Sequence, residues 1–127
     1  MTSILFVEDD YYLGPKIVEM LEAKGYDVYF ATNYGEACEL LYLDGPFDVI
    51  LTDYEFPGGN GLDVIEYALF TPIPRYHDLP AGPDPIIIIW SGLDRTEEVK
   101  KRNLDLAVDH ILTKGSLDKL FDVLPPA

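Results

Sequence analysis

Four short apolar runs in this chain each end on a residue able to handle a metal ion or a phosphoryl group. Ile4 to Val7 ends on Glu8, Asp9 and Asp10, and Asp48 to Thr52 ends on Asp53. Ile86 to Trp90 ends on Ser91, and Ile111 to Thr113 ends on Lys114. Carboxylates bind Mg²⁺ through oxygen, and ammonium and hydroxyl groups stabilise a transferred phosphate. Asp53 is the candidate phosphoacceptor, because it closes an apolar run and is followed by Pro57 and the glycine-rich turn Gly58 to Gly61. A phosphoryl group brings negative charge, and Asp53 beside Glu8 and Asp9 would repel it. A Mg²⁺ removes that conflict. Asp9 and Asp53 would ligate it directly, Glu8 directly or through water, and the backbone carbonyl of Glu55 would add one more oxygen. Lys114 would neutralise charge on the far side, Ser91 would donate a hydrogen bond to a phosphoryl oxygen, and Gly92 would leave the group accessible.

These residues work together only if the elements carrying them converge. The apolar runs are short and continuous, as expected of strands covered on both faces. Between them lie helical spacings. Leu13, Ile17, Met20 and Leu21 form the first, with Pro15 in its first turn and Gly25 as its stop. A second strand spans Val28 to Ala31, and Thr32 or Asn33 can cap a helix carrying Ala37, Leu40, Leu41 and Leu43 that ends at Gly45-Pro46. A third helix runs from about Leu62 to Phe70 with Val64, Ile65, Ala68 and Leu69 inward, and a fourth covers about Arg95 to Leu106. His110 to Thr113 is the fifth strand. The last helix starts at a Ser116 cap and carries Leu117, Leu120, Phe121 and Leu124 on one face. Strict alternation of strand and helix predicts an α/β fold, a doubly wound parallel sheet with the very apolar Ile86 to Trp90 strand central. In such a sheet the carboxyl ends of the strands line one crevice.

Thr71 to Pro85 breaks the pattern. It holds prolines at 72, 74, 80, 83 and 85, and can be neither a strand nor a regular helix. It reads as a surface insertion or as a contact loop presenting Arg75, Tyr76 and His77. Asp10 reads as a helix-capping residue.

The chain has 127 residues, enough for one domain, and 48% of them are hydrophobic. Its 23 acidic residues against 9 Lys and Arg give a net charge of −14, which disfavours binding a nucleic-acid backbone. Lys100-Lys101-Arg102 is too short a basic run to reverse this. The single cysteine, Cys38, excludes an internal disulfide and reads as a small buried hydrophobe. No apolar run approaches the length of a membrane span, and the start lacks a signal peptide's pattern, so a cytoplasmic location is expected.

Over nearly its full length the chain resembles the receiver domain of two-component response regulators. ILFVEDD, residues 4 to 10, resembles that family's first strand and acidic pair. DYEFPGGNG, residues 53 to 61, is similar to its phosphoacceptor segment, with the proline four places after the aspartate and the glycine eight places after. IWSG at 89 to 92 is similar to its hydroxyl-plus-small-residue step, and LTK at 112 to 114 to the end of its fifth strand. The resemblance implies a flavodoxin-like (βα)5 sheet of strand order 2-1-3-4-5. It implies that Asp53 takes phosphate from the phosphohistidine of a sensor histidine kinase or phosphotransfer protein, and that Glu8, Asp9 and Asp53 hold Mg²⁺. It further implies that Ser91 is the switch hydroxyl and Lys114 the phosphate-contacting lysine. The signal would pass to a downstream protein through contacts of residues 1–127 acting without an output domain.

Three positions depart from the family's pattern. Gly115 stands where the family usually has a proline, often with a cis bond that glycine does not favour in the same way. Ile111 stands where an aromatic switch residue is usual, and it has no ring to swing. The segment 71 to 85 lengthens the link between the third helix and the fourth strand. These departures keep open a receiver-like binding module that acts without phosphorylation. A small Mg²⁺-dependent phosphohydrolase with an aspartyl nucleophile would lack a substrate cap. An FMN-binding protein would need to cradle phosphate with the acidic loop Glu8 to Tyr12, which repels it.

Overall fold

A computed structural model describes residues 1–79, 82–115 and 117–127, without the side chains of Arg75 and Asp78. The expected cap at Ser116 and the expected exposure of Arg75 therefore lie outside the described residues. In chain order the elements are β1 (Ser3–Val7), α1 (Leu13–Ala23), β2 (Asp27–Ala31), α2 (Tyr34–Asp44), β3 (Val49–Thr52), β4 (Glu55–Phe56) and β5 (Gly59–Asn60). They continue with α3 (Gly61–Phe70), a 3₁₀ turn (Pro74–Asp78), β6 (Ile86–Ser91), α4 (Thr96–Lys101), β7 (His110–Thr113) and α5 (Leu117–Val123).

The main sheet is parallel, in the order β2-β1-β3-β6-β7. With the two short strands of the β4-β5 hairpin set aside, this is the 2-1-3-4-5 order of a flavodoxin-like α/β fold. The strand carrying Ile86 to Trp90 is interior, between β3 and β7, while β3 takes the middle place.

Each strand feeds two cores, because successive side chains point to opposite faces. Leu5, Val7, Ile50, Ile87 and Ile89 pack with Ala37 and Leu41 of α2, Val64 and Ile65 of α3 and Val99 of α4. Ile4, Phe6, Val49, Leu51, Ile88 and Trp90 pack with Ile17 and Leu21 of α1 and Leu120 of α5. This two-sided burial is why the runs read as continuously apolar rather than alternating.

Local signals set most of the ends. Asn33 accepts from the Glu36 amide at 2.8 Å and caps α2. Asn60 and Asp63 form a capping box on α3. Gly25 takes φ +99 after α1, the left-handed conformation that glycine reaches without strain. Asp10 accepts from the amides of Tyr12 and Leu13 at 2.9 and 2.8 Å, so it satisfies the start of α1 from just upstream of the helix.

Helix α4 is shorter than its spacing suggests. It ends at Lys101 instead of reaching Leu106, because Asn103 adopts φ 57. The Asn103 amide donates to the Lys100 carbonyl and the Leu104 amide to the Val99 carbonyl, a Schellman ending with buried Leu104 as its apolar plug. Leu106, at helical spacing in the sequence, is 98% exposed.

The proline-rich segment is also more than a surface insertion. Ile73 is buried in the α2–α3 core, and Tyr76 packs against that core while donating its hydroxyl hydrogen to the Leu41 carbonyl near the end of α2. Tyr76 is thus a packing residue rather than an exposed contact, whereas His77 is exposed. Cys38 is half-buried beside Tyr34. Among the described residues no helix is long and apolar enough to cross a membrane.

Candidate functional site

Strand register brings the site together. Val7 pairs with Thr52, so the residues that follow them, Glu8 and Asp53, emerge side by side. Ser91 pairs with Thr113, and the amide of the next residue, Lys114, donates to the Ser91 carbonyl at 2.7 Å. Asp53 is fixed at its own backbone, where its N–H donates to the Val7 carbonyl at 2.9 Å, and at its carboxylate, where Oδ1 accepts from the Tyr54 amide at 2.7 Å.

Behind Asp53 the chain must pass very close. A β-carbon on Gly61 would lie 2.4 Å from the Asp53 carbonyl oxygen, so only glycine fits eight places after the acid. The Gly61 amide donates to the Tyr54 carbonyl at 2.7 Å and closes the β4–β5 hairpin against the site.

Carboxylate oxygens of Glu8, Asp9 and Asp53 lie within 4.8 Å of one another. Glu8 is buried, Asp53 half-buried and Asp9 exposed. Hard oxygen donors at this spacing fit a divalent cation, with Asp9 on the open side. Glu55 follows in β4 with its side chain exposed and outside this cluster, so a contribution from it would come through its backbone carbonyl.

Lys114 answers the crowding of acids. Its ammonium donates to Glu8 Oε1 and, at 3.1 Å, to Asp53 Oδ2, while lying 5.3 Å from the centre of the Trp90 ring. The Glu8 carboxyl is pushed above its ordinary range, mainly by burial; the Lys114 hydrogen bond opposes this and the Asp53 charge adds to it. Burial alone would lower the Lys114 ammonium, but its hydrogen bonds to Glu8 and Asp53 outweigh that and hold it above its usual value.

On the other side of the crevice Ser91 is buried at the end of β6. Its Oγ accepts from Arg95 Nε at 3.3 Å. Arg95 also pairs with Glu98 at 3.0 Å and lies over the Tyr54 ring at 4.0 Å from its centre. A β-carbon on Gly92 would meet nothing within 4 Å, which is open space beside the hydroxyl. Ile111 stands opposite Ile89 in the register and packs, partly buried, against the α2–α3–α4 core.

Glu8, Asp9, Asp53, Ser91 and Lys114 thus stand at one end of the sheet. Sequence reasoning missed Arg95 and the aromatic platform of Tyr54. The available signal was an arginine four places after Ser91 and three before Glu98, an i, i+3 pair at the mouth of a helix.

Comparison with known proteins agrees with this architecture. The family model for the response regulator receiver domain matches residues 4–124. The response regulator protein PilR of Pseudomonas aeruginosa is 32% identical over 127 residues, a match covering 97% of this chain and 25% of PilR, so the chain spans about a quarter of that relative's length. Among solved structures, the non-phosphorylated HemR receiver domain of Leptospira biflexa is 27% identical with a TM-score of 0.68, covering 100% of this chain and 99% of that one. The response regulator TrrA of Thermotoga maritima, solved in complex with Mg²⁺ and BeF, is 25% identical with a TM-score of 0.69, covering 96% and 95%.

Proposed function

This chain belongs to the response regulator receiver domain family, and we propose that it takes a phosphoryl group from a phosphohistidine onto Asp53 in a Mg²⁺-dependent reaction. The observation that carries the reading is the Glu8, Asp9, Asp53 and Lys114 cluster, in which one carboxylate is held by a backbone amide and a lysine beside two further acids. An Asp53 oxygen attacks phosphorus, the P–N bond breaks, and the departing imidazole takes a proton from solvent. Asp9 and Asp53, with Glu8 and the Glu55 carbonyl, would hold the metal, which would supply positive charge against the incoming phosphate. The Thermotoga relative was solved with Mg²⁺ and BeF, which supports a metal and a phosphoryl group at this cluster.

Lys114 then contacts the phosphoryl group and the Ser91 hydroxyl turns to it. Ile111 offers little volume to relocate, so the response there is muted. The donor is a sensor histidine kinase or a phosphotransfer protein, and the signal passes to a downstream protein by contact. We place the exchange in the cytoplasm. Nucleic acid is not a partner of this domain, whose net charge of −14 repels a phosphate backbone.

Acetyl phosphate with Mg²⁺ tests the reading by intact mass. One phosphoryl adduct on the wild type, absent in Asp53→Asn, is the expected result. Unchanged labelling of Asp53→Asn contradicts the site, and an unlabelled wild type with a melting curve blind to Mg²⁺ favours a binding module that ignores phosphorylation.

A further inference from the structure

Three contacts converge on one guanidinium beside the phosphate-handling set. Arg95 donates Nε–H to the Ser91 hydroxyl at 3.3 Å, pairs with Glu98 Oε2 at 3.0 Å, and stacks 4.0 Å from the centre of the Tyr54 ring. Its side chain is only 15% exposed. Tyr54 in turn donates its amide to Asp53 Oδ1 at 2.7 Å. A continuous strap therefore joins the phosphoacceptor carboxylate to the Ser91 hydroxyl, and its far end grips α4 through Glu98.

The chemistry of a hydroxyl gives this strap a direction. Ser91 Oγ has one hydrogen and two lone pairs. With Arg95 donating into a lone pair, the hydroxyl hydrogen remains available to another acceptor, and the adjacent cation strengthens it as a donor. A planar guanidinium can hold a hydroxyl, a carboxylate and an aromatic face at once, which a lysine ammonium cannot do in the same geometry. When Ser91 shifts, the guanidinium that also holds Glu98 must follow, and α4 with it. Ile111 offers no comparable link.

We propose that Arg95 is the positioning residue that presents the Ser91 hydroxyl to a phosphoryl group on Asp53 and carries its displacement into α4. This rests on the phosphoryl-transfer reading above and adds to it the route by which the signal leaves the site.

Backbone amide NMR with Mg²⁺ and beryllofluoride tests it on the wild type, Arg95→Met, Arg95→Lys and Tyr54→Leu. In the wild type the amides from Ser91 through Lys101 should move. Arg95→Met should bind beryllofluoride about tenfold more weakly, the loss expected for one charge-assisted hydrogen bond. At saturation its Thr96 to Lys101 amides should stay near their free positions while those around Asp53 still move. Arg95→Lys should recover part of the affinity without the α4 response, and Tyr54→Leu, which leaves the guanidinium unsupported, should also blunt α4. Full wild-type shifts on α4 in saturated Arg95→Met, or in Tyr54→Leu should Arg95→Met not fold, overturn this inference alone. A wild type that does not respond at all overturns the phosphoryl-transfer reading together with it.

Discussion

The two sides of the crevice hold their polar groups in different ways. On the β1–β3 side, buried Glu8 and half-buried Asp53 share one ammonium from Lys114. On the β6–α4 side, a neutral hydroxyl is held by a cation that already has a carboxylate of its own in Glu98. Removing the cation has unequal consequences. Without Lys114, two carboxylates face each other with little water to separate them, and Glu8 is only 1% exposed. Without Arg95, a neutral hydroxyl loses one partner and the partly exposed Glu98 carboxylate is left to water. The first side holds paired charges in the interior, and the second holds a neutral group against a cation that already has its own counterion.

Lys114→Met should therefore destabilise the metal-free protein at neutral pH by about 3 kcal/mol in urea unfolding, the usual cost of breaking a buried pair by deleting one partner. Arg95→Met should cost about half as much, roughly 1.5 kcal/mol for a charge-assisted hydrogen bond, because Glu98, with its side chain 33% exposed, can turn to water when the cation is gone. Equal costs would mean that the two cations stabilise the fold alike.

Mg²⁺ should act on the first side only. At about 100 times its dissociation constant, a ligand bound only by the folded state adds about 2.7 kcal/mol, visible as a raised melting temperature. Asp9→Asn should lose most of that rise and Arg95→Met should keep it. A rise that survives Asp9→Asn would move the metal away from this acidic cluster.

Acid titration should separate the halves as well. Glu8 binds its proton more tightly folded than unfolded, so the native state carries the extra proton between the ordinary carboxyl value and the raised one. Stability contributed by this group falls as pH rises through that window. In metal-free buffer, wild type measured against Glu8→Gln should thus lose ground from about pH 4.5 upward, the ordinary glutamate value. A difference that grows in favour of the wild type over that range would reverse the assigned sign. Lys114, also raised, contributes stability that is fully present below its ordinary value and lost only in strongly alkaline solution.

The smallest effect lies outside both halves. Tyr76→Phe removes the hydroxyl that bonds the Leu41 carbonyl and should cost about 1 kcal/mol, while leaving phosphoryl labelling unchanged. Lost labelling in Tyr76→Phe would tie the proline-rich segment to the site.

Much of this arrangement was legible in the chain itself. Glu8, Asp53, Ser91 and Lys114 each close an apolar run, and parallel strands of similar length must deliver their ends to one edge. The capping asparagine of α2 and the glycine after α1 were equally readable, because their roles are local. Other features depend on partners far away in sequence. Leu106 keeps helical spacing from Val99, yet the left-handed turn at Asn103 sends it into solvent and puts Leu104, which lies off that face, into the core. The two-residue strands β4 and β5 are too short to show a period. Tyr76 looked like an exposed loop aromatic because its acceptor lies 35 residues earlier in α2. Arg95 reads as an ordinary helix-start residue until folding sets the Tyr54 ring beneath it.

The proposed carrier of the phosphoryl group is the Asp53 carboxylate. Borohydride reduction of the acetyl phosphate-treated, Mg²⁺-loaded protein, which converts an aspartyl phosphate to homoserine, followed by peptide mass mapping, reads it directly. Homoserine at position 53, and at no other acid of the cluster, is the predicted result. An unreduced Asp53 in a protein that has taken up phosphate, or homoserine at Asp9, would put the phosphoryl group on another residue.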